Sequence, residues 1–455
     1  VQLHRYAWAN IAVDANDQLR QRMAWALIQT LVINDSEDGS GITASRGYYN
    51  FMIDRAFGNY RDLLADVTFS HPMGKYLTYI DNRKADEVAG TSPDENYARE
   101  IMQLFSIGLF ELNMDGTQKL DSNGDPIPTY TNDEIQQFAR VFTGLRRSSI
   151  GETNLIRESN PMRMDVGRHE FGSKQLLDYP GAANNGFIPA RPVEEETEAN
   201  GLADVNFAID NVFNHPNVPP FISRQLIQRM VTSNPTPAYV ERVSNVFADN
   251  GSGVRGDLGA VVKAILLDPE ARDRTYSSNP YFGKIVEPYL VKWALYRVLD
   301  RRDKPSEQIG LRVDQNQNSV FNDYKQSYLT SPTVFNFYLP DFTVVNSGLD
   351  KRGLDIPEAQ IIEDISIFSV INNLLSSHID ETGDKEASVY APLQAVADDP
   401  SALVDEVSDL LMYGTLSPEA KAIIVNTIST ESNNLNRVRT AIWLTITTPE
   451  FQVIN

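Results

Sequence analysis

The sequence predicts a mainly α fold: a large helical body with a small β-hairpin and two long irregular loops. Three observations carry this. Apolar residues recur at helical spacing through most of the chain, helix-opening signatures precede many of those runs, and turn dipeptides gather near residues 110–130. The same pattern divides the chain into an N-terminal helical region (1–144), a long loop region (145–200), a second helical region (201–300), an aromatic and proline-rich strap (301–356) and a C-terminal helical region (357–455).

In chain order, Leu19, Met23, Leu27 and Leu31 recur at every fourth position and predict a buried helix over 14–33, with Asp14 or Asn16 near its start and Arg20 and Arg22 in its first turns. Tyr48 to Ala65 reads as two helical pieces broken at Gly58-Asn59, and the helical pattern resumes after Ser70-His71-Pro72. The stretch from Ser92 to Gly108 organises this region. Ser92 is placed as N-cap, Pro93 as the first helical residue and Glu95 as the capping-box acid. Tyr97, Ile101, Leu104, Phe105 and Gly108 then share one face, with Glu95, Arg99 and Ser106 opposite. Asn96, Glu100 and Gln103 form a third line beside the apolar stripe, suited either to a cleft or to ties with neighbouring helices.

Asp115-Gly116 and Asn123-Gly124 are turn dipeptides between short extended runs, which predicts a hairpin. Asp121, Asn123 and Asp125 at alternate positions also resemble half of a calcium loop, so a divalent cation such as calcium is the one cofactor the residues suggest. The glycine and distal glutamate of a full loop are out of register. Thr131 and Glu134 form a second capping box, opening a helix that ends at Gly144. Arg146, Arg147, Arg157, Arg163 and Arg168 make the following loop locally basic, and His169, Glu170 and Lys174 cluster within it. Helices follow after Pro219-Pro220, at Thr236-Pro237, after Asp257 and over Lys284–Leu299, with Trp293 buried. The strap holds Phe335, Phe337, Tyr338 and Phe342. It reads as an extended segment packed on the bundle, or as a grip for a sugar or polymer chain. Residues 357–378 and 400–414, a run opened by Ser417-Pro418-Glu419, and Arg437–Thr447 complete the helices.

Composition limits the function. Of 455 residues, 61 are acidic and 40 basic, a formal charge of −21, which argues against nucleic acid and anionic membranes as main partners. Hydrophobic residues make up 42% of the chain, enough for a real core, yet no apolar run approaches the roughly 18–20 residues needed to cross a bilayer. Cysteine is absent, which removes disulfides, thiol nucleophiles and Cys-based metal sites, and fits an oxidising compartment. The chain opens at Val1 with no initiator Met, as expected if an upstream segment is cleaved or missing.

Two pairs of residues carry chemical interest. Glu100 with Asn96 suits a general base and its orienting amide, or two ligands of a hard metal; equally, Glu100 suits a structural network with Arg20, Arg22 or Arg99. His169, one of five histidines, suits an acid, base or metal ligand with Lys174 nearby, or a loop-stabilising role. His71 and His215 each precede Pro and read as helix terminators, while His4 and His378 have no companions. No H-E-x-x-H, Walker A, G-x-S-x-G or dinucleotide-binding glycine pattern occurs.

DQLRQR, GNYRDLL, HPMGKYL, NRKAD, PDENYAREIMQLFSIGL, YTNDEIQQFARVFTG, RQLIQRMVTSNPTPAYV, GVRGDLGAVVKAILLDPEAR and SPTVFNFYLPD together resemble the bacterial family catalogued as domain of unknown function 1800, over most of residues 16–342. The resemblance implies a helical, exported protein, periplasmic, cell-surface or extracellular. It also implies an exported partner resembling the sulfatase and alkaline phosphatase superfamily. Its middle loop often carries His, Gly and Lys, matched here by His169, Gly172 and Lys174. Two functional classes follow. One is a non-catalytic surface or assembly component, acting with an exported partner or within an oligomer or larger assembly. The other is an exported hydrolytic or metal-assisted enzyme in which Glu100 and His169 meet in a cleft.

Overall fold

A computed structural model describes residues 3–34, 42–273, 281–299, 324–362 and 390–454. The sequence expectations for 300–323 and most of 357–378, and for His378, fall outside those residues. The described elements are overwhelmingly helical. The N-terminal region contains α1 (Leu3–Asp14), α2 (Gln18–Ile28), α3 (Ile42–Arg55), α4 (Tyr60–Thr68), α5 (His71–Tyr76), α6 (Asn96–Gln103) and α7 (Asn132–Val141). The middle loop holds α8 (Asn154–Ser159) and two two-stranded antiparallel ladders. These pair β1 (Leu145–Arg146) with β2 (Arg163–Met164), and β3 (Lys174–Gln175) with β4 (Phe187–Ile188). Next come α9 (Glu198–Asn214), α10 (Val218–Met230), α11 (Pro237–Ala248), α12 (Leu258–Leu267) and α13 (Pro269–Arg272). A further two-residue strand, β5 (Lys284–Ile285), precedes α14 (Pro288–Val298). The C-terminal helices are α15 (Tyr390–Val396), α16 (Pro400–Met412), α17 (Pro418–Ile428), α18 (Asn434–Ile446) and α19 (Pro449–Gln452). The last strand, β6 (Val453–Ile454), returns to pair with β5.

One continuous apolar core runs from Trp8 to Ile446. Its densest part is aromatic: Trp8 stacks on Tyr289 at 5.2 Å between ring centroids, with Trp25 at 4.8 Å and Trp293 at 6.4 Å, locking α1 and α2 onto α14. Local signals set many helix starts. Asn59, Thr236, Asp257, Asp399, Ser417 and Asn433 each accept a backbone N–H of the following helix. The Thr131/Glu134 capping box is present in full.

The Pro269-Glu270 and Pro449-Glu450 turns perform the same task. Glu270 of α13 accepts from the hydroxyl of Thr236, the N-cap of α11, and Glu450 of α19 accepts from Ser417, the N-cap of α17, each at 2.6 Å. Each short helix thus clips the start of an earlier one.

Several local expectations are corrected. Leu19 is 47% exposed rather than buried, because α2 begins only at Gln18 and turns its inward face from Met23 onward. Pro219 and Pro220 lie inside the first turn of α10, where their missing N–H groups cost nothing. The run predicted as one helix over 284–299 begins with β5 and becomes helical only at Pro288. The central helix starts at Asn96, not at Pro93. There, Asn82 brackets the backbone of Asp94 through Oδ1 and Nδ2, and Asp94 Oδ1 accepts from Asn96 N at 2.8 Å. This loop lock displaces the expected cap, and Glu95 instead pairs with Arg99 at 3.7 Å. At the other end the turn widens, with Phe105 N donating to Glu100 O and Ile107 N to Met102 O. That rotates Ser106 inward to full burial, opposite to the side predicted.

The hairpin forms as three short runs, each bridged to the other two through Phe110↔Pro128, Leu112↔Gln118 and Leu120↔Pro126. Gly116 (φ 79°) and Gly124 (φ 89°) turn the chain at the two dipeptides singled out in the sequence.

Candidate functional site

The middle-loop candidates are drawn together around a residue the sequence reading missed. Asp204, on the inward face of α9, is 1% exposed. Its Oδ2 lies 3.1 Å from Lys174 Nζ and 3.5 Å from His169 Nε2, and its Oδ1 lies 2.6 Å from Arg191 Nη2. His169 donates from Nδ1 to the Thr143 carbonyl at 2.8 Å, and its Nε2 lies near the carboxylate without a hydrogen bond to it. Burial alone would raise the Asp204 carboxyl, but the surrounding cations and donors win and hold it at about 2. Burial pulls the Lys174 ammonium downward against the opposing pull of Asp204. His169 and Lys174 are themselves fully enclosed. Their arrangement is a charge lock tying β3 and the middle loop to α9. An acid in phase with Gly201, Val205, Ala208 and Val212 on an otherwise apolar helix face was the available sequence signal.

The basic patch is also internally matched. Arg146 and Arg168 both reach Asp81 and Asp165, and Arg147 reaches Glu158.

Glu100 stands apart from that lock. It is buried, its Oε2 has no hydrogen-bond partner, and burial raises its carboxyl against a weaker pull from Arg99. Arg20 and Arg22, expected as partners, are used elsewhere: Arg20 caps the Ile53 carbonyl and lies over the Phe57 ring, and Arg22 donates to the Arg229 carbonyl. No hydrogen bond or ion pair joins Glu100 to His169. Asn96 is exposed, and its Nδ2 approaches Thr78 at 3.4 Å. In the Asp121, Asn123, Asp125 stretch, Asp121 Oδ1 accepts from the amides of Asn123 (2.8 Å) and Asp125 (3.0 Å), an Asx turn that fixes the second hairpin bend. Those hydrogen bonds lower the Asp121 carboxyl. Among the described residues no three His, Asp or Glu side chains gather where they could hold a metal ion.

A large cavity lies elsewhere, between the hairpin, α10 and the strap. It is a cleft of about 1010 Å³. Asn217, fully buried before α10, pins the hairpin wall: its Nδ2 donates to the carbonyls of Ile107 and Phe110, and its Oδ1 accepts from Leu112 N. A Cβ on Gly108 (φ 73°) would come within 2.7 Å of the Phe221 ring, so glycine permits the close approach of hairpin to α10. The strap wall is held by reciprocal bonds between Asn234 and the Asp355 backbone, by Gln228 donating to Pro340 O, and by Arg229 lying 4.6 Å over the Tyr338 ring. Of the third line on α6, only Gln103 reaches this cleft.

Beneath the cleft is a buried polar network that no sequence motif announced. Glu287 Oε2 accepts from Trp25 Nε1, Gln29 Nε2 and Gln326 Nε2 at 2.8–2.9 Å. Lys284 pairs with Glu358 at 2.8 Å and donates to Arg229 O. Burial lowers the Lys284 ammonium, opposed by Glu358 and Glu287. The Glu287 carboxyl is held down against its burial by Lys284 and Arg22. Gln29 belongs to both layers: its amide nitrogen is held by Glu287, its Oε1 has no partner, and it lines the cleft floor.

Among the described residues, then, a helical body carries a pinned cleft and internal charge locks. The chain belongs to the family described as Protein of unknown function (DUF1800), whose model matches residues 2–453. No curated protein and no solved structure matches it.

Proposed function

We propose that this chain is a non-catalytic component of an exported assembly, and that it holds an extended chain-like ligand in the cleft while an exported partner, resembling the sulfatase and alkaline phosphatase superfamily, carries out chemistry. The observation that supports this reading most is the cleft itself. Exposed Leu109, Phe110, Phe335 and Leu339 share its lining with carboxamide side chains. Such a lining binds through shape and hydrogen bonding along a length, rather than by focusing a reactive group on one atom. Lys174 is spent on holding Asp204, and His169 is fully enclosed with its Nδ1 committed to the Thr143 carbonyl.

The test is co-expression of the full chain with the exported partner. A complex that co-elutes in size exclusion, and a partner whose turnover of a polymeric substrate rises when the chain is added, are expected. Phe335→Ala should remove that gain without affecting turnover of a small soluble substrate. Turnover by the chain alone, or no effect on the partner, refutes the reading.

A further inference from the structure

We infer that the cleft between hairpin, α10 and strap is a subsite for a neutral, hydroxyl-rich saccharide strand; this rests on the binding reading above and names its ligand. Four features converge on that chemistry.

First, six carboxamides stand in the lining: Gln29, Gln103, Gln118, Gln225, Gln228 and Asn234. Gln103, Gln118 and Gln225 line the cleft with no side-chain hydrogen bond to the protein, and Gln29, also in the lining, has an enclosed Oε1 with no partner. A carboxamide both donates and accepts without charge, the pattern that matches a sugar hydroxyl, which also does both. Gln29 is moreover pre-set. Glu287, 1% exposed, anchors its nitrogen at 2.8 Å, which fixes the orientation of the amide, and its enclosed Oε1 keeps an unused acceptor beside the cleft.

Second, flat apolar faces stand free beside these amides. Phe335 is 43% exposed and Phe110 36%, on opposite walls. Rings of this kind cover the apolar faces of a pyranose while the rim amides take its hydroxyls.

Third, the charges cancel. The lining holds Arg224, Arg229 and Arg352 together with Asp115, Asp341 and Asp355, and Arg224 and Asp355 are 3.5 Å apart. In a molecule of formal charge −21, a lining with balanced charge selects against both polyanions and polycations. Fourth, a volume of about 1010 Å³ stands at the top of the range of roughly 300–1,000 Å³ common for small-molecule sites, which suits several linked rings rather than one.

An extended peptide shares some of this chemistry, but the hairpin run over 110–112 already has both edges bridged, so it offers no strand edge for a peptide to join.

The experiment is titration calorimetry of the full chain with cellohexaose and maltohexaose, against hexagalacturonate as an anionic control and a decaproline peptide as a polypeptide control. One neutral hexasaccharide should bind at least tenfold more tightly than the anionic one and the peptide. Phe335→Ala should weaken it about tenfold, and Gln225→Ala and Gln29→Ala several-fold. Gln225→Ala is the essential arm, because Gln225 is half-buried and unpaired, so its loss leaves the fold intact by circular dichroism. Binding of neither neutral hexasaccharide, equal binding of the anionic one, or preference for the peptide overturns the inference. Saccharide cleavage abolished by Asp355→Asn would support the ligand class and overturn the non-catalytic reading instead.

Discussion

Replacing Asp204 with Asn should be among the most damaging single changes outside the apolar core. The substitution preserves shape and removes one charge. It leaves Lys174, fully enclosed, with only the Gly172 carbonyl at 3.2 Å, and leaves Arg191 without its counter-ion. The magnitude follows in two ways. Lowering the carboxyl from 3.8 to about 2 on folding contributes about 2.5 kcal/mol. Breaking one side of a buried ion pair costs about 3–5 kcal/mol. A loss near 3 kcal/mol at pH 7 is therefore expected. The sign of the pH dependence is fixed, since the folded value lies below the unfolded one. The contribution is complete well above pH 3.8 and disappears as pH falls through about 2, with roughly half left at pH 3. Urea unfolding of wild type and Asp204→Asn at pH 7 and pH 3 measures it. A difference below about 1 kcal/mol at pH 7, or one that does not shrink at pH 3, refutes the lock.

Other predictions follow from the same geometry. Glu100→Gln should stabilise the protein by about 1 kcal/mol above neutral pH, because it removes a buried charge that lacks a partner, and the gain should fade in acid; a loss of similar size in urea unfolding would show that the carboxylate has a partner after all. Burial holds the His215 imidazole at about 4, below its ordinary 6.5, so the folded state resists protonation. Stability should fall by up to about 3 kcal/mol between pH 6.5 and pH 4, and His215→Asn, which keeps an acceptor for Asn217 N, should flatten that slope in thermal melts. Gly144→Ala should cost about 2–3 kcal/mol in the same melts, since its φ is 85° and a Cβ would sit 2.7 Å from Met164 Sδ and 2.9 Å from Asp165 O; a variant as stable as wild type would refute the close approach there.

The helices were legible because their signals are local. Apolar spacing and Ser/Thr/Asp-Pro starts act within a few residues, so α4, α7, α11, α12 and α17 begin where the sequence places them. Motif resemblance was legible for the same reason, and the matched family covers residues 2–453. The central helix shows the limit. Its N-terminus was set by Asn82, fourteen residues upstream of Asn96, and no capping rule contains that partner.

Sites depended on longer separations still. Sequence alone picked out His169 and Lys174 as chemically capable, but their character was decided by Asp204 and Arg191, supplied by α9 and the loop before it. The cleft joins residues from the turn after α2, the hairpin, α10 and the strap, and Glu287 reaches Gln29 across 258 positions. The sequence by itself determined the helical class, the hairpin turns and many helix starts, because each follows from neighbours along the chain. Only the tertiary structure decided which polar side chains were neutralised and which were left facing a cleft, because burial and charge pairing depend on what packs against a residue, not on what precedes it.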